Sequence, residues 1–279
     1  MRKLAACIFA LTLAACGGGG GGNTSAPPPS GTTQDLPPPP TNAPVNTALM
    51  INGEENVVNG DNTWYSSGTA SWSNHAGSTA GAPSGNAVDG STCTNVSEGS
   101  QYPQSDFSQH IFVGIYANGV EEALPQAIGM VDPKPPTTPA PPDWPSGHPN
   151  DNYPVELSQC RYNVHSHDYS GLVHIEDMSV AQSNTSMPAY ANLQTLFDVW
   201  GAQFSANGIV AGGSTLSGRA IVYVGTPSGK NGTNDLVTSY TLYNGSLSSL
   251  QFSKHMAIWI VIGALPSSGL PEVQIVQTN

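Results

Sequence analysis

The sequence has few charged side chains, and cations are the scarcest of them. Charged residues make up 9% of the 279 positions, and seven lysines and arginines stand against nineteen aspartates and glutamates. The formal net charge is therefore −12 at pH 7. Proteins that bind nucleic acid neutralise phosphates with clustered cations. We therefore expect no nucleic-acid partner for this chain.

Cysteines are few, and familiar catalytic patterns are missing. The chain has four cysteines, too few and too widely spaced for the ligand set of a zinc finger. The Gly-x-Ser-x-Gly pattern of a hydrolase nucleophile elbow occurs nowhere in the sequence. Whether the protein is an enzyme is therefore undecided, and these absences favour a protein without enzymatic activity.

The N-terminus has an apolar segment that is too short to span a bilayer. Arg2 and Lys3 precede an apolar run over residues 4–13, whereas a spanning helix needs about 20 apolar residues. A charged start followed by a short apolar stretch is typical of an export signal. We predict a signal peptide over residues 1–15, with an uncleaved signal anchor as the alternative.

The end of this segment resembles the lipobox of bacterial lipoproteins. Residues 13–16 read Leu-Ala-Ala-Cys directly after the apolar run. The resemblance implies cleavage before Cys16 and lipidation of that cysteine, whose acyl chains would anchor the protein in a membrane. Gly17 in place of aspartate favours the outer membrane. The expected membrane contact is thus the N-terminal lipid, and the sequence identifies no protein partner.

Composition divides the remainder of the chain into a linker and a folded region. Residues 16–48 combine a run of six glycines with proline clusters, which is typical of a disordered tether. Residues 49–279 are predicted to be globular. Within them we expect two halves, 80–131 and 155–279, on either side of a Pro-rich loop at 133–154.

Two cysteines remain in the folded region. Cys7 belongs to the predicted leader and Cys16 to the lipidation site, which leaves Cys93 and Cys160. Exported proteins meet an oxidising compartment in which disulfides persist. We therefore predict a Cys93–Cys160 disulfide, while a metal-ligand role for one of the two is the alternative.

Alternating apolar residues indicate that strands outnumber helices. One helix is predicted at 191–200, where Leu193, Leu196, Phe197 and Trp200 recur at helical spacing before Gly201. The expected fold class is a β-rich α+β protein with mostly antiparallel sheets. The predicted strands are Gln109–Ala117, Arg161–His167, Leu172–Met178, Gly218–Gly225, Ser239–Tyr243, His255–Gly263 and Val273–Val276.

Two segments in different halves of the chain resemble each other. Phe107-Ser-Gln-His110 and Phe252-Ser-Lys-His255 share phenylalanine, serine and histidine, and each opens an apolar run that ends in glycine. Alternation places each histidine on the face opposite the aliphatic residues. The repeat predicts two related β-layers, one in each half, unless the similarity is fortuitous.

Residues 160–176 concentrate three of the seven histidines with a glutamate. The turn composition around Gly171 predicts a hairpin that places His165 opposite His174. His167 and Glu176 then lie two positions away on the same face. Such a face predicts a transition-metal site for copper or zinc. The predicted ligands are His165, His167, His174 and Glu176, with His110 or His255 completing the set.

The histidines and the glutamate of this hairpin have two alternative interpretations. The histidines could form a hydrogen-bonded polar network in a structural or protein-interaction lipoprotein, or Glu176 could act as the general base of an enzyme. The first expectation is an outer-membrane-anchored envelope lipoprotein that binds a transition metal. The structural lipoprotein is the alternative.

The same stretch resembles a family of uncharacterised bacterial exported proteins. Their motif is Cys-x-Tyr-x-x-His-x-His-Asp-x-Ser-Gly-x-x-His-x-Glu, followed by Phe-Asp-x-Trp-Gly. Here the motif covers 160–176 and the second element covers 197–201. The family tends to carry His-x-His in an upstream strand, where this chain has His110 and then Phe112. The resemblance implies a shared motif and no particular activity.

Overall fold

The computed structural model describes residues 37–53, 87–95, 107–131, 158–177 and 186–275, apart from positions 123, 126, 159, 168, 169, 212 and 213. The predicted leader, the Cys16 lipidation site and the Pro-rich loop at 133–154 lie outside these residues. The compact unit begins at Pro39. The start predicted at residue 49 therefore falls inside the first strand, β1 (Val45–Gly53).

A seven-stranded sheet forms the centre of the molecule. Its main path runs, in spatial order, through β16 (Thr241–Tyr243), β13 (Ala220–Gly225), β17 (Ala257–Ile262), β4 (Phe107–Ala117), β9 (Leu172–Asp177) and β8 (Val164–His165). Strand β5 (Val120–Glu122) pairs with β4 off this path. Its strand pairs are antiparallel except for the parallel pair of β4 and β17.

Three smaller sheets surround the central one. The first contains β1, β18 (Leu270–Ile275), β15 (Asn234–Val237) and β14 (Gly229–Asn231); the second contains β10 (Gln203–Ser205), β11 (Gly208–Ala211) and β12 (Ser214–Ser217). The third contains β2 (Ala87–Val88), β3 (Ser91–Asn95), β7 (Cys160–Tyr162) and β6 (Met130–Val131). The confirmed fold class is β-rich α+β, with mostly antiparallel sheets.

Both faces of the central sheet are buried, which explains the continuous apolar run of β17. Ile258, Ile260 and Ile262 pack with the helix and with residues of β3, β7 and β11. Trp259 and Val261 face the opposite side and pack with residues of β1, β15 and β18. The molecule therefore has three layers, with the central sheet in the middle.

The predicted helix is present as α1 (Leu193–Trp200). The Asn192 side chain accepts a hydrogen bond from the Thr195 backbone N–H at its start, and Gly201 ends it in the left-handed conformation with φ +72°. A short 3₁₀ helix covers Leu247–Ser249. Among the described residues, no helix combines the length and apolar character needed to cross a membrane.

The repeated segments lie side by side in one sheet and not in two layers. Strands β4 and β17 are parallel neighbours in which Ala257 lies opposite Phe112, the same offset that separates His255 from His110. The His255 backbone N–H donates to the His110 carbonyl at 3.0 Å. The expectation of one β-layer per half is therefore wrong, because the repeat places its two strands in register within a shared sheet.

Candidate metal centre

The predicted hairpin forms in the predicted register. Strands β8 and β9 pair antiparallel, with Val164 opposite Ile175 and His165 opposite His174. Gly171 precedes β9 with φ +80°, and a Cβ at this position would lie 2.7 Å from the Val113 carbonyl oxygen. Glycine is thus required where the hairpin closes against β4.

Three imidazoles of the hairpin region lie close together. His165, His167 and His174 are buried, and one ring nitrogen from each lies within 4.8 Å of the other two. The Nε2 atoms of His165 and His167 are 3.2 Å apart. A tetrahedral ion with metal–nitrogen bonds of about 2.0–2.1 Å separates its ligand nitrogens by roughly 3.3 Å. These three residues form a group that could hold a metal ion.

The backbone orients His165 for such a role. Its Nδ1 lies 2.9 Å from the Tyr162 carbonyl oxygen. Because a carbonyl only accepts, Nδ1–H is the donor, and the lone pair of the neutral ring is on Nε2. That Nε2 is the atom that lies beside His167. Metal-binding histidines typically donate their second ring N–H in this way, which fixes the tautomer and the ring orientation.

Burial keeps the imidazoles of His165 and His174 neutral. Loss of solvation lowers the pKa of His165 well below 6.5, with further contributions from the Arg161, His167 and His174 charges. Burial and the Arg161 charge lower the pKa of His174 to about 3. Metal ligation requires neutral imidazole. Protons therefore do not compete for the nitrogens of His165 and His174 near neutral pH.

His110 joins the cluster from the neighbouring strand. It lies opposite His174 in the pairing of β4 with β9, and its Nε2 is 3.1 Å from His174 Nδ1. The two rings meet edge to face with centroids 4.4 Å apart. Burial and the His174 charge lower the pKa of His110 to about 3. His110 therefore contacts His174 directly, either as an orienting partner or as a further nitrogen ligand.

Glu176 lies at the edge of the group and is engaged by a cation. Its carboxylate oxygens are 3.8 Å from His165 Nε2 and 3.6 Å from His174 Nδ1. Arg161 Nη2 lies 2.6 Å from Glu176 Oε2, and Arg161 Nη1 lies 3.5 Å from His167 Nε2. The predicted carboxylate ligand is thus adjacent to the histidines, but its charge is already paired.

His255 lies outside the three-histidine group. Its Nδ1 pairs with Asp235 Oδ2, and Lys230 pairs with the other oxygen of the same carboxylate. Burial lowers the pKa of His255, although the Asp235 carboxylate acts to raise it. The residue has φ +56°, a left-handed conformation that non-glycine residues rarely adopt. The structure therefore brings His110 to the cluster and commits His255 to Asp235.

The predicted disulfide fixes the strand that carries Arg161. Cys93 and Cys160 are bonded with their Cα atoms 5.4 Å apart, which joins β3 to β7. The predicted strand Arg161–His167 is interrupted at Asn163, which separates β7 from β8. The Asn163 side-chain oxygen accepts from Thr92 N–H, and its amide donates to the Glu176 carbonyl. This break turns the chain while keeping Arg161 beside Glu176.

Arg161 and Asp235 contact two of the predicted ligands, Glu176 and His255, but the sequence-based ligand set did not include them. Arg161 had a detectable signal, because continuing the strand alternation from His165 places it on the same face as Glu176. Asp235 had none, since it belongs to β15 in a different sheet and reaches His255 only through layer packing. Local periodicity predicts which residues are neighbours within a hairpin, but it does not predict contacts between sheets.

Neutral buried histidines predict that acid destabilises the metal-free protein. The folded-state pKa of His110 and of His174 is about 3, against 6.5 for an ordinary histidine. The unfolded chain therefore binds more protons between these values, and stability falls as the pH drops through this window. We expect the free energy of unfolding to fall by about 1.4 kcal/mol or more per pH unit between pH 6 and 4.

Urea unfolding with a chelator present, followed at pH 7 and pH 5, measures this effect. His174→Gln should reduce the pH dependence, because glutamine does not titrate. Carboxylates that are stabilised in the folded state, such as Asp235, lose their contribution only near and below pH 4. An unfolding midpoint that is unchanged between pH 7 and 5 would contradict neutral burial of the histidines.

The site, and not similarity to known proteins, supplies the chemistry from which function can be inferred. The resemblance to bacterial exported proteins, which is carried by the motif around the hairpin, stays a prediction. Within the described part of the chain, this motif corresponds to the histidine cluster and the strand that carries Arg161. In comparisons with known proteins, no family model, no curated protein and no solved structure matches the chain.

Proposed function

We propose that this chain is an outer-membrane-anchored envelope lipoprotein that binds one copper or zinc ion through His165, His167 and His174. The observation that carries the proposal is the convergence of three buried imidazoles within 4.8 Å. One of them is already oriented by a backbone carbonyl. Three nitrogens this close are compatible with ligation of a single ion.

The type of ligand favours a transition metal such as copper or zinc over magnesium and calcium. Imidazole nitrogen suits zinc, copper, iron and nickel, whereas magnesium and calcium prefer oxygen. Cys93 and Cys160 are joined to each other and supply no thiolate. Two histidines on the paired strands β8 and β9, with His167 just after β8, give a coordination set with at least one open position. Glu176 and His110 are the nearest groups that could fill it.

The sequence of the N-terminus supports the cellular location. A charged start, a short apolar run and the Leu-Ala-Ala-Cys motif at 13–16 favour export and lipidation of Cys16. The Cys93–Cys160 disulfide suits an oxidising compartment such as the periplasm. The lipid would attach the protein to the membrane, and the Gly- and Pro-rich segment would hold the folded unit away from it.

A structural lipoprotein is the second candidate, and one contact favours it. Arg161 and Glu176 form an ion pair whose side chains are only 13% and 19% exposed. Together with the His110–His174 contact, this pair satisfies many polar groups of the cluster without a metal. The same pair weakens the case for an enzyme, because a general base needs a carboxylate free to take a proton.

Metal binding separates the two candidates. The full-length protein, purified in detergent and stripped with chelator, should bind about one equivalent of zinc or copper and gain thermal stability as a result. His165→Ala should weaken binding at least about 100-fold, because it removes one of three ligands. His255→Gln is the matched control and should bind metal like the wild type.

Two results would decide against the metal. One is less than about 0.1 equivalent of either ion retained by the wild type at micromolar concentration. The other is equal weakening by His165→Ala and His255→Gln, which would indicate a general effect of losing a buried histidine. The structural lipoprotein would then be the remaining interpretation.

A further inference from the structure

A cation lies within the histidine cluster. The Arg161 guanidinium is placed between Glu176 Oε2, at 2.6 Å, and His167 Nε2, at 3.5 Å. Its charge also acts on His165 and His174, since it contributes to the lowered pKa of both. Arg161 is thus the positive group of the metal-free site, and any metal ion that binds the three histidines arrives next to it.

Repulsion from this arginine depends on the charge of the incoming ion. Coulomb energy is proportional to the product of the charges, so a doubly charged ion is repelled twice as strongly as a singly charged ion at the same position. An imidazole that ligates a metal is neutral and gives no compensating charge. Glu176 is the nearby anion, and Arg161 already neutralises it.

We propose that Arg161 is the selectivity-determining residue of the site and that it favours a singly charged ion, copper(I), over zinc(II) and copper(II). This inference rests on the proposed metal-binding function. The disulfide next to Arg161 in the chain holds its strand in place and limits how far the guanidinium can withdraw.

The geometry also gives Glu176 a defined role. With a singly charged ion in place, Arg161 can stay on Glu176, and the buried site then carries one net positive charge from the metal. With a doubly charged ion, Glu176 has to divide its negative charge between Arg161 and the metal. That weakens a contact of 2.6 Å between partners that are only 13% and 19% exposed, which is costly where little solvent can replace it.

Affinities of Arg161→Gln for the two ions test the proposal. Copper(I) is measured anaerobically by competition with a chromophoric cuprous chelator, and zinc(II) by competition with a zinc dye, on the full-length protein in detergent. Removal of the charge should tighten copper(I) binding about 10-fold and zinc binding about 100-fold, since the repulsion on zinc is twice as large. The preference for copper(I) over zinc should fall about 10-fold.

Two variants serve as controls. Arg219→Gln removes an equal charge at the far end of the central sheet, where the Arg219 carbonyl accepts a hydrogen bond from Gly263 N–H. This variant should leave the affinities for copper(I) and zinc(II) unchanged. Arg161→Lys keeps the charge and should retain the wild-type preference within about threefold, because lysine carries the same charge. The lysine variant also shows whether the strand still folds without the guanidinium.

Each outcome has a distinct meaning. A larger gain for zinc than for copper(I) in Arg161→Gln supports the proposal. If the wild type binds metal, but Arg161→Gln gains equal affinity for both ions or gains none, the charge-based selectivity is overturned and the proposed function is left intact. A loss of preference in Arg161→Lys equal to that in Arg161→Gln also overturns it. Failure of wild type and Arg161→Gln to bind either ion overturns both.

Discussion

Replacing Cys93 and Cys160 together with serine is expected to lower the free energy of unfolding by about 4 kcal/mol. The bond closes a loop with a sequence separation of 67 residues, and a loop of that length restricts the unfolded chain by about this amount. Folded domains are typically stable by only about 5–15 kcal/mol. The variant should therefore be near the limit of folding at growth temperature.

Urea unfolding of the wild type and the double serine variant, each with and without reductant, measures this contribution. Reductant should destabilise the wild type and leave the variant unchanged, since Cys93 and Cys160 form the disulfide of the folded unit. Equal sensitivity of both proteins to reductant would contradict this account. A difference below about 1 kcal/mol would contradict it as well, because native disulfides normally contribute 2–5 kcal/mol.

The disulfide also bears on the site because Cys160 directly precedes Arg161. Strand β7 pairs with β3 on one side and β6 on the other, and the disulfide adds a covalent link to β3. Loss of the link should loosen Arg161 before it affects His165 and His174, which are held by the pairing of β8 with β9. One short strand therefore connects the stability of the protein with the proposed ion preference.

The sequence predicted the parts of the fold that depend on local periodicity. Alternation located β4, β9 and β17, and helical spacing with Gly201 located α1. The hairpin register followed from turn composition, because a turn fixes which residues of its two strands are opposite. The disulfide followed from the number of cysteines outside the predicted leader and the predicted lipidation site. All these features are encoded within a few neighbouring residues or by simple counting.

The features that were missed depend on contacts between distant segments. The parallel pairing of β4 with β17 joins residues from the two expected halves, and no turn connects such strands. The packing of β1 beside β18 includes residues assigned to the tether, since Val45 pairs with Leu270. The Asp235–His255 contact joins two sheets. Periodicity identifies a buried face without identifying what covers it.

The candidate site also combines features that depend on local sequence with features that depend on contacts between distant segments. The hairpin supplied three histidines in one register, so sequence alone could group them. Glu176 is paired with Arg161. The strand that carries Arg161 pairs with β3, and the chain turns after it at Asn163. His110 reached the cluster through the pairing of β4 with β9. A ligand set could thus be predicted, but its charge balance required the tertiary structure.

Replacing Gly129 with alanine is expected to lower the free energy of unfolding by about 2–4 kcal/mol, through left-handed strain and overpacking together. The residue has φ +72°, and a Cβ there would lie 2.4 Å from the Val164 carbonyl oxygen and 3.2 Å from His165 Cβ. Neither neighbour is the end of a flexible side chain. Strand β8 must therefore move, and His165 moves with it.

Gly232→Ala provides a matched control for this effect. Gly232 has φ +63°, so alanine meets similar backbone strain, but its Cβ would have no atom within 4 Å. We expect a loss of about 1 kcal/mol there, from backbone strain alone. Metal affinity should fall in Gly129→Ala and stay at the wild-type value in Gly232→Ala. Equal destabilisation by the two variants, measured by urea unfolding, would show that close packing behind His165 does not position the cluster.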